Sequence, residues 1–166
     1  MSAAYQLAFV YPAAFALLPP EMESPEARAL MIAIGFQESG FSDRYQVLDS
    51  GVKGAGRGFY QFELGGGVAG VLAHPSTRAI ALHVLNELHY PPDARSCYVA
   101  LEHSDILAAC FARLLLWTDS EHLPGPHAAT RAWKIYERLW RPGKPHPDAF
   151  PAHFAQAWSL VDVDGE

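Results

Sequence analysis

The distribution of glycine constrains this chain of 166 residues more than any other feature, since nine of its 13 glycines lie between residues 40 and 70. Glycine weakens the interior of a helix or strand, so this segment favours loops, tight turns and a short hairpin over a regular helix. The strand signal of the whole chain is confined to residues 41–64. We therefore expect a mainly α fold with an irregular Gly-rich segment near its centre.

Helical patterns lie on both sides of the Gly-rich segment. Ser24, Pro25 and Glu26 form a strong helix start, and Gly40 marks the end of the same helix. Three prolines within residues 141–147 predict an extended connector. The expected helices cover residues 4–18 (with a bend or start at Pro12), 24–39, 77–89, 96–117 (with a break near His103), 127–139 and 147–160.

The composition is that of one folded, acidic domain. Half of the residues are apolar, 18% are charged, and the formal net charge is −6. An acidic chain argues against a protein that binds nucleic acid by bulk charge. The length suits a single domain over residues 1–166. Within it we distinguish a motif-bearing segment (24–72), a C-terminal helical part (76–160) and a short acidic tail (161–166).

The sequence also bears on compartment and on cysteine chemistry. Cys97 and Cys110 lie in an apolar helical stretch and are expected to be buried free thiols. No Lys or Arg precedes Arg28, and Pro12 interrupts the apolar N-terminus, so we expect synthesis in the cytoplasm without a cleaved signal peptide. No stretch reaches the roughly 18 uninterrupted apolar residues that a membrane span needs.

The predicted helix over residues 24–39 is apolar on all sides and ends in a carboxylate. One apolar stripe at helical spacing consists of Ala27, Leu30, Met31, Ile34 and Gly35. Glu38 takes the next position of this stripe, so we expect partial desolvation to raise the pKa of its carboxyl group. A carboxyl group that keeps its proton near neutral pH can act as a general acid. The alternative is a Glu that only pairs with Arg44 or Arg57, or that reaches solvent at the helix end.

Two motifs around Glu38 carry a resemblance to a known family. The tetrapeptide Glu38-Ser39-Gly40-Phe41 is followed by Gly54-Ala55-Gly56-Arg57-Gly58-Phe59-Tyr60-Gln61-Phe62. In this order and spacing the motifs resemble the lysozyme-like lytic transglycosylase family. The later segment with Trp133, Tyr136 and Trp140-Arg-Pro-Gly-Lys-Pro145 is similar to phage- or prophage-type peptidoglycan-degrading members of that family. The resemblance covers residues 24–72, and the later helices match only in number and general character.

The resemblance implies a lysozyme-like domain with a Gly-rich loop and short hairpin inserted beside the active-site helix. It also implies cleavage of the β-1,4 glycosidic bond between N-acetylmuramic acid and N-acetylglucosamine in peptidoglycan. Glu38 would protonate the glycosidic oxygen and then accept the proton of the sugar's C6 hydroxyl, which attacks C1 and gives a 1,6-anhydro product. This lytic transglycosylase route needs one essential carboxylate and no cofactor.

The resemblance further implies which side chains bind the glycan. Gln61 matches the family's Gln, whose amide can both donate and accept, although a loop Gln can equally bond nearby backbone. Tyr60 and Phe62 flank it and can stack on sugar rings, while aromatic residues in such a segment more often belong to the core. Tyr136 is the nearest equivalent, by chain order, of a family Tyr close to the catalytic Glu. The Asn and Ala that usually flank that Tyr are absent here, and a core-facing aromatic stripe is the alternative.

A second carboxylate would change the expected reaction. A hydrolase normally uses two, about 5–5.5 Å apart when retaining and about 6.5–9.5 Å apart when inverting. Glu63 and Asp49 in the Gly-rich segment are the candidates, and a solvated loop carboxylate is the alternative for each. Three functions thus stay open beside the transglycosylase: a muramidase, a chitinase-type hydrolase, and a non-catalytic lysozyme-like component of a virion or secretion system that binds cell-wall glycan.

The remaining signals point to few partners. The eight histidines show no ligand spacing, so we predict no metal site. The expected partner is the glycan strand of peptidoglycan, with no nucleic acid and no membrane span, and the oligomeric state is left open. The chain is expected to act at the bacterial cell wall, as a virion component or as a released endolysin.

Overall fold

The computed structural model describes residues 2–163, with side chains as far as residue 161. The fold is mainly helical, as the sequence predicts. The helices are α1 (Ala3–Tyr5), α2 (Tyr11–Phe15), α3 (Pro25–Ser39), α4 (Ala69–Ala73), α5 (Arg78–Glu87), α6 (Ala94–Leu101), α7 (Asp105–Trp117), α8 (Ala129–Trp140) and α9 (Phe150–Val163). The strands are β1 (Tyr45–Val47) and β2 (Lys53–Arg57). Shorter turns are π-helical at Gln6–Val10, where α1 runs into α2, 3-10 at Pro20–Met22, and π-like at Leu64–Val68 before α4.

Helix α3 is largely buried, and its ends are those that the sequence predicts. The Ser24 hydroxyl caps the first turn by accepting a hydrogen bond from the amide of Ala27. Gly40 ends the helix in a left-handed conformation, with φ at +59°. The helix packs mainly against α9 and also contacts α7. Its residues 27 and 29–35 are buried, so α3 is enclosed by protein along most of its length.

The Gly-rich segment begins with a short hairpin. Strands β1 and β2 pair in antiparallel fashion, with Tyr45 opposite Arg57 and Val47 opposite Lys53. The predicted strand signal over residues 41–64 is therefore confirmed. Gly58 follows the hairpin with φ at +69°, and a Cβ there would lie 2.6 Å from the carbonyl oxygen of Leu101. Only glycine fits this close approach to α6.

The second half of the Gly-rich segment departs from the prediction. Residues 64–68 form a helical turn kinked at Gly66, and α4 begins at residue 69, although the glycines argued against helix up to residue 70. The reason is tertiary packing. A Cβ on Gly67 would lie only 2.5 Å from the nearest atom of the Phe62 ring. The side chains of Val68 and Val71 are buried. Packing of apolar side chains thus outweighs the low helix propensity of glycine.

The C-terminal half follows the predicted pattern closely. The break expected near His103 separates α6 from α7, and residues 141–147 form no helix. Cys97 and Cys110 are buried free thiols, as predicted, and burial raises the pKa of each to about 12. Helix α9 takes in residues 161–163 of the expected acidic tail, and residues 164–166 lie outside the described residues. Within residues 2–163, no helix combines the length and apolar character needed to cross a membrane.

Candidate active site

A cleft of about 1260 Å³ opens at the C-terminal end of α3. One wall comes from the Gly-rich segment, and the other comes from the end of α8 and the connector that follows it. Six of the seven predicted site residues line this cleft: Glu38, Asp49, Gln61, Phe62, Glu63 and Tyr136. The fold therefore gathers side chains that are up to 98 positions apart in sequence, such as Glu38 and Tyr136.

Glu38 lies at the last turn of α3, is half-buried and lines the cleft. Burial raises the pKa of its carboxyl group from 4.5 to about 7, because desolvation disfavours the charged form. The hydrogen bond from Tyr136 lowers this pKa, and the negative charge of Glu63 raises it. The predicted desolvation of Glu38 is thus confirmed, and it favours the neutral, protonated form of the carboxyl group.

Tyr136 holds one oxygen of the Glu38 carboxyl group. Its hydroxyl donates a hydrogen bond to Oε1 of Glu38 over 2.6 Å. The Tyr136 ring is fixed by stacking on Phe150 at 5.4 Å and on Trp140 at 6.2 Å between ring centroids. Tyr136 therefore lies beside Glu38, as chain order predicts, and it belongs to an aromatic stripe at the same time. A role toward glycan stays a prediction.

The arginines that were the alternative partners of Glu38 are engaged elsewhere. Arg44 forms a bidentate pair with Asp105 at the start of α7, with Nη2 to Oδ2 at 2.8 Å. Arg57 pairs with Glu102, with Nε to Oε2 at 3.2 Å. Among the described side chains no cation lies within ion-pair distance of Glu38. The alternative of a simple ion pair is therefore wrong.

The residues after Glu38 fix the end of α3. The Ser39 hydroxyl donates to the carbonyl of Phe59 over 2.8 Å and accepts from the amide of Phe41 over 3.2 Å. Phe41 is fully buried, has φ at +56°, and presses its ring against Gly35, where a Cβ would lie 2.1 Å away. The Glu-Ser-Gly-Phe tetrapeptide thus ties α3 to the Gly-rich segment and fixes where the Glu38 side chain lies.

Gln61 lines the cleft, but its amide also braces the loop. Its Nε2 donates to the carbonyl of Gly58 over 2.9 Å and to that of Asp43 over 3.4 Å. Its Oε1 lies over Gly56, 2.3 Å from where a Cβ would be. The structure therefore shows the backbone contacts of the loop-bracing alternative, while the predicted glycan contact is untested.

The structure contradicts the predicted glycan contact of Tyr60. This side chain is fully buried and lies outside the cleft lining. Its hydroxyl shares a hydrogen bond with that of Tyr11 over 2.8 Å, which satisfies the polar end within the core. Its backbone carbonyl accepts from Nε1 of Trp140 over 2.9 Å. Phe62 lines the cleft with only 2% of its surface exposed, so most of its ring packs inward, near Phe111 and Trp140.

The two candidates for a second carboxylate differ in position. Glu63 is exposed, lines the cleft, and lies near enough for its charge to raise the pKa of Glu38. Asp49 lies in the turn between β1 and β2 with 98% of its side chain exposed, and its Oδ2 is 3.5 Å from Nζ of Lys144. Glu63 is therefore the better placed of the two to act together with Glu38.

The wall opposite the hairpin was not predicted from the sequence. It contains Trp140, Arg141 and Lys144, which follow Tyr136 at the end of α8 and in the Pro-rich connector. Gln37 fixes this connector by donating to the carbonyl of His146 over 3.2 Å. The predicted extended connector was the available signal, but nothing local in the sequence indicates that it folds back over α3.

Among the described residues, no group of three or more His, Cys, Asp and Glu side chains is placed to hold a metal ion. Comparisons with protein-family models, with curated proteins and with solved structures gave no match.

Proposed function

We propose that this protein cleaves the β-1,4 glycosidic bond between N-acetylmuramic acid and N-acetylglucosamine in peptidoglycan, by a lytic transglycosylase mechanism with Glu38 as the acid and base. The observation that carries the proposal is the environment of Glu38. Its carboxyl group faces an open cleft, has a pKa raised to about 7, and receives a hydrogen bond from a tyrosine rather than an ion pair from a cation.

The hydrogen bond from Tyr136 assigns different tasks to the two oxygens of Glu38. Oε1 accepts from the Tyr136 hydroxyl, so the proton of the neutral acid resides on Oε2. Among the described residues Oε2 accepts no hydrogen bond, which leaves it free to donate its proton to a glycosidic oxygen. Protonation of that oxygen breaks its bond to C1 and leaves an oxocarbenium-like sugar.

The second step returns Glu38 to its starting state. The Glu38 carboxylate accepts the proton of the C6 hydroxyl, and the C6 oxygen forms a bond to C1, which closes the 1,6-anhydro ring. The catalytic proton is thus given up in the first step and regained in the second. The nucleophile belongs to the substrate, so this chemistry requires no second carboxylate.

A muramidase is the second candidate, and Glu63 is the observation that favours it. Glu63 lines the same cleft and influences the pKa of Glu38 through its charge. Most glycoside hydrolases use two carboxyl groups that face one cleft. In that case Glu63 would act on a water molecule or on C1 directly, and the product would end in a reducing sugar.

Mass spectrometry of soluble products from purified peptidoglycan tests the proposal. The wild type, Glu38→Gln and the control Glu87→Gln, an exposed Glu at the end of α5, are compared. We expect anhydro-muropeptides from the wild type and the control, and none from Glu38→Gln. Reducing-end products that require Glu63 would establish the muramidase instead. Bound glycan without any products would indicate the alternative function, a non-catalytic component that binds cell-wall glycan.

A further inference from the structure

The two walls of the cleft carry opposite charge. Glu38 at the end of α3 and Asp49 and Glu63 of the Gly-rich segment line the cleft. The other wall carries Arg138, Arg141 and Lys144 within seven residues, in a chain whose formal net charge is −6. We call this second side, residues 138–144, the cationic wall. A local cluster of positive charge in an acidic chain attracts negatively charged ligands.

The three cations of the cationic wall differ in how far the protein neutralises them. Arg138 pairs with Asp119 at 2.7 Å and with Glu121 at 3.1 Å, so its charge is compensated. Arg141 is exposed, and no described carboxylate lies within ion-pair distance of it. Its Nε only donates a long hydrogen bond of 3.4 Å to the carbonyl of Arg138.

Lys144 is held only loosely. Its Nζ lies 3.5 Å from Oδ2 of Asp49, with 82% of the Lys144 side chain and 98% of the Asp49 side chain exposed. Exposed pairs of this kind contribute little, because water and salt screen them. Arg141 and Lys144 are therefore both available to an anion that enters the cleft.

The backbone of Arg141 provides a second, independent observation. This residue caps the C-terminus of α8 in the left-handed conformation, with φ at 49° and ψ at 54°. Glycine is the usual residue at such a cap because any side chain is disfavoured there. An arginine in this position therefore has a disfavoured backbone conformation, and it places a guanidinium group in the cleft lining. Strained residues of this kind cluster at ligand sites.

We infer that Arg141 and Lys144 bind a carboxylate carried by the glycan, so that the cleft selects an anionic glycan over a neutral chitin chain. The planar guanidinium of Arg141 can hold a carboxylate with two parallel hydrogen bonds, while Lys144 adds a mobile positive charge. The inference rests on the proposed function and specifies its substrate. In peptidoglycan the carboxylate has two sources, the stem peptide or the lactyl group of a peptide-free muramic acid.

Equilibrium binding to three soluble probes tests this inference and separates the two sources. The probes are peptidoglycan oligomers with stem peptides, the same oligomers after amidase removal of the peptides, and N-acetylglucosamine oligomers. Binding is measured in the Glu38→Gln background, so that no probe is cleaved, at low and at high salt. The variants are Arg141→Gly, Lys144→Gln and their combination. The control is Lys134→Gln, which removes a positive charge from an exposed position of α8 outside the cleft lining.

We expect the double variant to bind at least one anionic probe about tenfold more weakly, with the neutral probe and the Lys134→Gln control unaffected. The anionic probe that loses affinity identifies the carboxylate, and high salt should shrink the difference. Arg141→Gly suits the left-handed backbone, so its melting temperature should not fall. Unchanged binding of both anionic probes, or an equal loss for the neutral probe, would overturn the inference.

Failure of this inference and failure of the proposed function give different results. Cleavage by the otherwise wild-type chain with the same KM in the Arg141→Gly, Lys144→Gln variant would overturn the charge inference and leave the reaction intact. Charge-dependent binding of an anionic probe without any cleavage would overturn the proposed reaction and leave the inference intact.

Discussion

Helix α3 and the β1–β2 hairpin are neighbours in sequence and border the same cleft, yet their environments are opposite. Residues 27 and 29–35 of α3 are buried, and the helix is held by α9 and α7. The hairpin leaves apolar side chains between 40% and 59% exposed, namely Tyr45, Val47, Leu48 and Val52. Glu38 lies where the buried element meets the open one.

This contrast separates two requirements of a glycan-cleaving site. A carboxyl group with a raised pKa needs a fixed, partly desolvated position, which only a densely packed element provides. A polymer that must enter and leave needs an open wall, which a hairpin and a Pro-rich connector provide. Under the proposed function, the helix would supply the acid, and the exposed segments would contact the polymer.

The largest effect is expected for the acid itself. Glu38→Gln should reduce the rate of glycan cleavage about 10²–10⁴-fold, because the amide cannot donate or accept the catalytic proton. Turbidity loss of purified peptidoglycan measures the rate, with Glu87→Gln as the control. A variant that keeps more than about a hundredth of the wild-type rate would show that Glu38 is not the acid.

The difference in packing predicts the next effect. Gly35→Ala would place a Cβ 2.1 Å from the ring of Phe41, so it should lower the free energy of unfolding by about 3 kcal/mol. Gly51→Ala, in the hairpin turn with φ at +77° and open space around it, should cost only about 1 kcal/mol from backbone strain. Urea unfolding measures the free energy of unfolding of both variants. Equal losses would show that the helix and the hairpin do not differ in packing as described.

The raised pKa of Glu38 predicts a dependence of stability on pH. Its pKa is about 7 in the folded chain against 4.5 ordinarily, so the folded state binds more protons in this window and loses stability as pH rises from about 4.5 to 7. Glu38→Gln removes this loss. Its free energy of unfolding should exceed that of the wild type by up to about 3 kcal/mol at pH 8. At pH 4 the advantage should vanish, and an advantage that is the same at both pH values would show that folding does not raise the pKa of Glu38.

Tyr136→Phe should move the alkaline limb of the activity profile upward. The Tyr136 hydroxyl lowers the pKa of Glu38, so its loss leaves the acid protonated to higher pH. We also expect a rate about tenfold lower at the optimum, since the carboxyl group loses its orienting hydrogen bond. The pH dependence of kcat/KM measures both effects, and a limb that moves downward would reverse the assigned role.

Glu63→Gln gives the smallest expected shift, in the opposite direction. The negative charge of Glu63 raises the pKa of Glu38, so its removal should move the same limb to lower pH. A transglycosylase should otherwise keep most of its rate. Loss of the rate by a factor of about 100 or more would instead make Glu63 a second catalytic carboxylate and favour the hydrolase.

The sequence predicts the bounds of α3 and the position of Glu38 well, because the signals for both are local. The Ser24 cap, the apolar stripe and Gly40 determine where the helix lies and place Glu38 at its end. The pairing of Tyr136 with Glu38 came from a family resemblance and chain order, since no local pattern links residues 98 positions apart.

The features that the sequence predicts wrongly or does not reveal depend instead on packing between distant segments. The helical turn at residues 64–68 depends on Phe62 seated against Gly67, and the burial of Tyr60 depends on Tyr11. The cationic wall depends on the course of the connector after α8. Long-range contacts of this kind leave no periodicity in the sequence, so neither glycine content nor alternation reveals them.

The proposed function depends on a carboxyl group at the end of α3 that keeps its proton near neutral pH in an open cleft. Carbon-13 NMR titration of the Glu side-chain carboxyl groups tests it directly, with the Glu38 signal assigned by its absence in Glu38→Gln. We expect a titration midpoint near 7 for this signal. A midpoint at or below 4.5, the ordinary value, would contradict it and remove the physical basis for Glu38 as the general acid.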